Sequence, residues 1–517
     1  MKIRILTLIM LTVAVVARGQ DSDTLRLTLA QAIRLAQEQS TDALSARHQL
    51  EASTWAYQGH KANYLPSLSL SASPNLNRQL NSIVQPDGTS SFVRQNQLST
   101  NLNLSLSQNI WFTGGNLFVS SSLYRQDEFE RHTHSYSSVP ISIGYSQSLF
   151  GHNSLRWDRR TEPLRYRRAQ KAYRETMELI ASRTCSYFFS LAGAQTSLSI
   201  ARQNYAVSDT LYRYASRRYD IGTITENEML QLEVNRLSEE TNCMNAAIEV
   251  DEAMQSLRSY LAIDNATDIV VVPDSSVPNL QIDPMQALAQ ALEQSPDPDY
   301  YRLSRLESED DLARARASRG LKAELYMQFG LSQTGATVHD AYQRPSNQQY
   351  ISLSLSLPLL DWGRGKGQVR VARSRLQLTQ LAGEQGMHDF RQNVLKVVNQ
   401  FNLQSRRVDV ARRTRQTALR RYEVARWMYI QGRTTLLEFM NSINEKDAAQ
   451  RNFIASMRTY WELYYTIRSM TGEVMETPLL SPRRGEDTIR MEKAPPLGGG
   501  GGEVKGTIPT PRQHPSF

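Results

Sequence analysis

Aligned against itself, this sequence of 517 residues shows the same four landmarks in the same order in each half, so it must fold as two equivalent units. The first landmark is a helix start. Thr28-Leu29-Ala30-Gln31 has the capping-box form S/T-x-x-E/Q, and Asp283-Pro284-Met285-Gln286 offers an N-cap aspartate, a proline at the first helical position and a glutamine at the third. Gln31 and Gln286 lie 255 residues apart. The second landmark is an alternating strand, Ser67-Leu68-Ser69-Leu70-Ser71-Ala72 in one half and Leu325 to Leu331 in the other. The third is a strand of alternating Ser and apolar residues closing in a turn, Ile141 to Gly151 and Ile351 to Asp361, with Leu149 and Leu359 separated by 210. The fourth is Tyr219-x-x-Gly222-x-x-Thr225-x-x-Glu228 against Tyr429-x-x-Gly432-x-x-Thr435-x-x-Glu438, again 210 apart.

Because the offset falls from 255 to 210, the first half carries about 45 extra residues between roughly 75 and 138. Within them Leu98, Leu102, Leu104, Leu106, Ile110 and Phe112 share one face of an alternating run, with Ser99, Asn101, Asn103, Ser105 and Ser107 on the other. Gly114-Gly115 turns the chain, and Leu117, Val119 and Leu123 continue a second run. An extra β-hairpin over 97–127 is expected, on the outer side, in or above the barrel that the strands would form. Between landmarks lie helical segments: 28–62, 155–218 and 225–262 in the first half, 284–320, 364–428 and 435–472 in the second. A 64-residue run such as 155–218 is about 96 Å long as a helix, far beyond the globular norm. Leu230, Val234, Leu237, Thr241, Met244 and Ile248 follow the 4-3 spacing of a coiled-coil seam.

Lys2 and Arg4, an apolar run from Ile5 to Ala17, and small residues before Gln20 read as a signal peptide over 1–19. The first repeat then covers 20–280 and the second 281–475. Residues 476–517, with the glycine run 498–502 and many prolines, read as a disordered tail. After the leader no apolar stretch reaches the roughly 20 residues of a membrane-spanning helix, so entry into a membrane requires a barrel. Mean hydropathy of −0.48 suits long water-exposed helices. The net charge of +8 is spread along helices in an exported chain and does not point to nucleic acid. Cys185 lies 37 residues before the turn at Gly222 and Cys243 21 after it; the mismatch of 16 is about 24 Å along a helix, which argues against a disulfide.

Each strand alternates apolar residues with Ser, Asn or Gly over the length a tilted barrel strand needs. A soluble sandwich alternates likewise, but it does not explain two very long helices leaving strand ends. Trp111, Trp157 and Trp362 stand at strand ends, where interfacial aromatics belong, and Arg156, Arg159, Arg160, Arg364, Lys366 and Arg370 follow. Four to six strands are too few to enclose an open lumen, so the strands must be pooled between subunits.

The order helix, strand, strand, long helix, turn, helix, written twice, resembles the TolC family of outer-membrane efflux proteins. The likeness covers residues 27–472 and rests on Leu27-Thr28-Leu29-Ala30-Gln31-Ala32-Ile33, on the strand ends Ser146-Gln147-Ser148-Leu149-Phe150 and Leu357-Pro358-Leu359-Leu360, and on the two Tyr-x-x-Gly turns. It implies an α+β membrane protein: a homotrimeric β-barrel in the outer membrane, continuous with a periplasmic tunnel of coiled α-helices. It also implies docking to a periplasmic adaptor and an inner-membrane pump, proton-driven or ABC, for efflux or type I secretion. Tyr219, Gly222, Thr225, Glu228, Tyr429, Gly432, Thr435 and Glu438 would form the periplasmic tips and the adaptor site. Gln231 and Asn441 stand nine residues after the glycines, where family members often carry aspartate at the tunnel constriction. The insert departs from the family's commonest two strands per half.

No chemistry competes with this reading. Gly363-Arg364-Gly365-Lys366-Gly367 joins a strand to a helix but lacks the third glycine spacing of a dinucleotide loop. His132 and His134 have no partner at metal-ligand spacing. No Ser/His/Asp set stands out, so neither an enzyme nor a cofactor is expected. The alternatives are a pump-independent porin, which has no use for helices of ~96 Å, and a structural periplasmic coiled coil, which has no use for the strands.

Overall fold

The computed structural model describes residues 25–86, 88–264, 267–274 and 276–472. The expected leader at 1–19 and tail at 476–517 lie outside the described residues. The first repeat runs β1 (Leu25–Leu27), α1 (Leu29–Gln39), α2 (Thr41–Ala62), β2 (Ser67–Val84), β3 (Ser90–Ile110), β4 (Gly115–Glu128), β5 (Thr133–Ser148), α3 (Ser154–Asp220) and α4 (Glu226–Leu261). The second runs β6 (Ile269–Val271), α5 (Pro284–Gln294), α6 (Asp297–Arg319), β7 (Lys322–Gly335), the short α7 (Asp340–Gln343), β8 (Ser346–Ser356), α8 (Arg364–Ile430) and α9 (Leu436–Thr471). α3 and α8 each have 67 residues, and α4 and α9 each have 36. The long pair therefore extends about 100 Å.

The sequence pattern predicts single helices over 28–62 and 284–320, yet each is broken in two. The breaks fall at Ser40 (φ −64°, ψ 149°) and Ser295 (φ −68°, ψ 148°), 255 residues apart and both buried. Pro296 explains the second, since a residue before proline is pushed out of the helical region. At Ser40 no proline intervenes; its hydroxyl instead caps α2 by accepting from the Ala43 amide at 3.2 Å.

The helices lie in one layer. On the side of the turns, α4 packs on α3, α3 on α9 and α9 on α8; on the side of the strands, α2 packs on α3, and α6 on both α3 and α8. Between the two levels β1 pairs in parallel with β6, and Gln195 of α3 clamps the pair, donating to the Ile269 carbonyl at 2.9 Å and accepting from the Val271 amide at 3.3 Å. The main core lies here. Phe188, Phe401, Met457 and Tyr460 are fully buried, the Phe401 and Tyr460 rings are 5.0 Å apart, and the Tyr460 hydroxyl donates to the Pro278 carbonyl at 2.6 Å.

The strands form one antiparallel sheet in the order β2-β3-β4-β5-β7-β8. The extra residues form β3 and β4, and β3 starts at Ser90, earlier than the expected 97. They lie in the sheet: β3 pairs with β2 from Ser67↔Ser107 to Val84↔Ser90, and β4 pairs with β5 from Asn116↔Ser146 to Glu128↔Thr133. Their turn is at the helix end, where Asn153 donates to the Trp111 carbonyl at 3.0 Å. One face of the sheet carries Leu68, Leu104, Val119, Ile143, Met327 and Ile351; the other carries Ser69, Asn103, Ser120, Ser142, Gln328 and Ser352.

Near the strands, α3 meets the start of α6 through charge. Asp299 receives Arg167 at 2.6 Å and Lys171 at 2.8 Å, which hold its carboxyl below the usual range against the cost of burial. One turn on, burial and the Asp297 carboxyl push Glu175 up to about 7. The folded chain therefore keeps a proton on Glu175 between the ordinary carboxyl range and pH ~7 where the unfolded chain has lost it, so this group makes stability fall as pH rises through that window. The expected result is that Glu175→Gln flattens the pH dependence of the unfolding midpoint between pH 5 and ~7.5, read by chemical denaturation at fixed ionic strength.

Candidate functional site

The two turns that join the long helices to their partners have matching backbones. Gly222 (φ +70°) and Gly432 (φ +69°) adopt the left-handed conformation that ends a helix without a Cβ clash. The Thr223 amide donates back to the Arg218 carbonyl at 2.8 Å, and the Arg433 amide to the Met428 carbonyl at 2.9 Å, the same bond 210 residues on. Thr225 and Glu228 form a complete capping box: the Glu228 amide donates to the Thr225 hydroxyl at 3.3 Å, and the Thr225 amide to the Glu228 carboxylate at 3.2 Å.

The second turn departs from the expected box. The Glu438 amide donates to the Thr435 hydroxyl at 3.3 Å, but the Glu438 carboxylate accepts from the Thr434 hydroxyl rather than from the Thr435 amide. The first turn has Ile224 in the place of Thr434 and offers no such donor. Glu438 is thus only half committed to the cap.

The two turns also lie near each other. Tyr429 is half-buried, which raises its phenol pKa, and it feels the charges of Arg218 and Glu228 from the first turn. Its ring stacks on Phe439 with centroids 5.1 Å apart, whereas its counterpart Tyr219 is 39% exposed. Behind each turn a cation sits on a tyrosine: Arg236 over Tyr212 at 5.4 Å, and Lys446 over Tyr422 at 4.5 Å, each pair again 210 apart. The sequence reading missed these pairs: the repeat offset matches their residue types between the halves, but only the packing of the two helices brings ring and cation together. Gln231 and Asn441 are exposed on their helices.

The three tryptophans gather where strands meet helices. Trp111 lies in the β3–β4 turn under the Arg159 guanidinium, 3.9 Å from its ring centroid. Trp157 sits in the first turn of α3 rather than at a strand end, with Arg160 at 5.5 Å. Trp362 is 90% exposed and left-handed (φ +53°), next to exposed Leu359 and Leu360. Asp361 accepts from the Gly363 amide at 2.9 Å and the Gly365 amide at 2.8 Å, so the glycine-rich start of α8 has its amides occupied by the chain's own carboxylate. Cys185 is buried and Cys243 half-buried, both free. Among the described residues no helix is long and apolar enough to cross a membrane, and no group of His, Cys, Asp and Glu could hold a metal.

Both ends of the layer are unfinished. On α4 the seam residues Val234, Leu237, Met244 and Ile248 are 67%, 48%, 57% and 58% exposed. Their counterparts, 210 further on, are Asn444, Asp447, Ile454 and Arg458 of α9; Asn444 is exposed, and Asp447 and Arg458 meet α3, where Asn204 donates to Asp447 at 2.7 Å and Arg458 donates to the Ser186 hydroxyl. At the opposite end α8 exposes Leu403 (61%) and Val410 (55%), the latter the counterpart of Ile200, which is buried on α3. Leu237 and Val410 thus each have a buried twin within the same chain, Asp447 and Ile200.

The profile described as outer membrane efflux protein matches residues 115–262 and 287–473. The CmeC outer membrane channel of Campylobacter jejuni is similar in structure, with a TM-score of 0.63 at 16% identity over 86% of this chain and 85% of that one. A membrane protein from Pseudomonas aeruginosa gives 0.61 at 15% over 88% and 95%. The VceC outer membrane protein of Vibrio cholerae gives 0.59 at 14% over 86% and 96%. No curated protein matches in sequence.

The two caps make separable demands on the turns. Thr225→Ala removes the side-chain half of a full box and is expected to cost about 1 kcal/mol locally, seen as faster amide exchange in the first turn of α4. Glu438→Gln should leave exchange in the first turn of α9 unchanged, because the amide oxygen still accepts from Thr434.

Proposed function

Since this chain belongs to the outer membrane efflux protein family, a family of transport channels and not of enzymes, we propose that it is the exit duct of a tripartite efflux or type I secretion system. In this reading three copies close a barrel in the outer membrane and a helical tunnel below it in the periplasm. An inner-membrane pump, proton-driven or ABC, loads the duct through a periplasmic adaptor, and the pump chooses the cargo.

The observation that carries the reading is the open layer with complementary ends. The exposed seam of α4 repeats the face by which α9 covers α3, and α8 is the repeat partner of α3. The internal contact α9 on α3 therefore predicts α4 of one copy on α8 of the next. Such a head-to-tail contact closes a ring when the rotation is right, and contiguous exposed apolar surface of this kind marks an interaction site. The long helices stay polar because they have water on both sides, which a pump-independent porin does not require.

The tips Tyr219 to Glu228 and Tyr429 to Glu438 would then point at the adaptor, with Ile221 and Ile430, 74% and 73% exposed, as its apolar contacts. Gln231 and Asn441 would close the tunnel by hydrogen bonds in place of charge. A photo-crosslinker at Ile221 or Ile430 is expected to capture a periplasmic adaptor in living cells. A trimer that captures none, yet passes small solutes in liposomes, would be a porin.

Two substitutions test the assembly and the tips. Val234→Glu with Leu237→Glu places charge in the proposed seam and should convert the trimer to monomer in native mass measurements in mild detergent; an unaffected trimer would sink the α4–α8 contact. Because Glu438 is only half held by its cap, Glu438→Gln is expected to lower cation preference in planar bilayers. Unchanged selectivity would leave this glutamate as a structural residue alone.

A further inference from the structure

The inserted hairpin has a function in the sheet that the repeat makes visible. Without β3 and β4 each half would supply two strands; with them the chain supplies six. We propose that β2 of one copy pairs antiparallel with β8 of the next, so that the trimer closes an eighteen-stranded barrel whose wall includes the hairpin and whose bore matches the helical tunnel beneath it. This rests on the trimeric exit-duct reading.

Three observations lead there. The first is order. β2 follows α2 at one side of the layer, and β8 leads into α8 at the other, so the contact that sets α4 against the next copy's α8 also brings β2 to the next copy's β8. β2 runs away from the helices and β8 runs toward them, so the edges meet antiparallel, as every other pair in the sheet does.

The second is parity. Across the sheet Ser67, Ser107, Phe118, Gly144, Gln328 and Tyr350 lie level on the polar face. Leu68 and Leu70 of β2, and Ile351, Leu353 and Leu355 of β8, are all highly exposed on the apolar face. An in-phase β2–β8 pair makes both faces continuous around the ring. The hairpin shares this pattern, with Leu102, Leu104, Leu106, Leu117 and Val119 toward lipid and Asn103, Ser105, Ser107, Ser120 and Ser122 opposite, beside Phe118 and Tyr124. A hairpin standing above the membrane would have no need of the apolar stripe.

The third is width. Four strands at ~4.8 Å spacing, tilted by ~40°, cover about 25 Å of circumference, and six cover about 38 Å. The four helices of the layer, at 8–10 Å between axes, cover roughly 32 to 40 Å. Six strands per copy therefore fall within the span of the helices, and four fall short of it. Barrel diameter grows roughly in proportion to strand number, so the lumen would be about half again as wide as with four strands per copy. Its polar side in the hairpin holds Ser99, Asn101, Asn103, Ser105, Ser120 and Ser122, with Tyr124 and with Phe118, whose ring lies against Gly144.

The test uses the full chain with Cys243→Ser. Ser71→Cys in β2 is combined in turn with Tyr350→Cys, Ser352→Cys and Ser354→Cys in β8, all on the polar face, and the proteins are oxidised in outer membranes. One register is expected to give a denaturant-resistant ladder of dimer and trimer, since a disulfide needs Cα atoms within about 4.4–6.8 Å; Leu353→Cys, on the opposite face, should not. In parallel, a chain lacking residues 90–128 is reconstituted and probed with neutral polyethylene glycols added at the barrel side. The largest polymer that lowers conductance should shrink in radius by about a third. A trimer that forms no crosslink in any register, or a trimer without the hairpin that keeps the same polymer cut-off, overturns the eighteen-stranded barrel and leaves the exit duct standing. Failure of the full chain to form a trimer overturns the exit-duct reading itself.

Discussion

The contact between α9 and α3 sets the plan of this molecule. It joins the second repeat to the first, and it does so through polar pairs: Asp447 is held by Asn204 and Arg458 by Ser186. A duplicated chain that forms this contact once has, by construction, a second copy of each surface left over. α4 is left with the face that α9 has used, and α8 with the role that α3 has played. The leftover surfaces lie at opposite ends of the layer and stay apart within one chain: α4 packs on α3 and α8 on α9, and α4 and α8 do not pack on each other. In the trimeric reading the exposed apolar residues at the two ends are the surfaces that neighbouring copies would cover.

The two seams are not chemically identical, and the difference has a physical reason. Where α9 meets α3 the partners are covalently tethered, so polar pairs such as Asn204 with Asp447 set the register at little entropic cost. At the free end the counterparts are Leu237, Met244 and Ile248. A contact between separate chains must offset lost translational and rotational freedom, and apolar burial at ~25 cal/mol per Å² is the term available for that. The repeat thus keeps its geometry while its chemistry adapts to the kind of contact each face makes.

Much of this was legible in the sequence because it is carried by periodicity and by residues with narrow backbone preferences. The offsets of 255 and 210 located the insert, the left-handed glycines at 222 and 432 marked the turns, and the cap of Thr225 by Glu228 followed from spacing alone. The misses have a common cause. The break at Ser40, the diversion of Glu438 to Thr434 and the pairing of Arg236 with Tyr212 depend on what packs nearby, and a single hydroxyl or ring decides them. The exposed edge of α8 was hidden for another reason: an apolar residue left exposed at the end of the layer looks the same in sequence as one that faces the core. Only the burial of Ile200 beside the exposure of Val410 tells them apart.

The sheet applies the same logic of leftover surfaces to backbone groups. An unpaired strand edge in a bilayer is far costlier than an exposed leucine in water, because each unsatisfied amide or carbonyl in hydrocarbon costs several kcal/mol. β2 and β8 both present such an edge along apolar stretches. A soluble sheet could blunt its edges with charge or proline, but over Ser67–Ala72 and Tyr350–Ser356 neither strand carries a charged residue, and the proline of β2 comes only at Pro74. Nor does the glycine pattern close the sheet on itself: Gly144 admits the Phe118 ring and Gly330 the close approach of Ile141 and Ser142, both between interior strands and neither at an edge. The backbone of the edge strands is thus kept fit for pairing, and the partner with a matching edge, direction and phase is another copy of the same sheet.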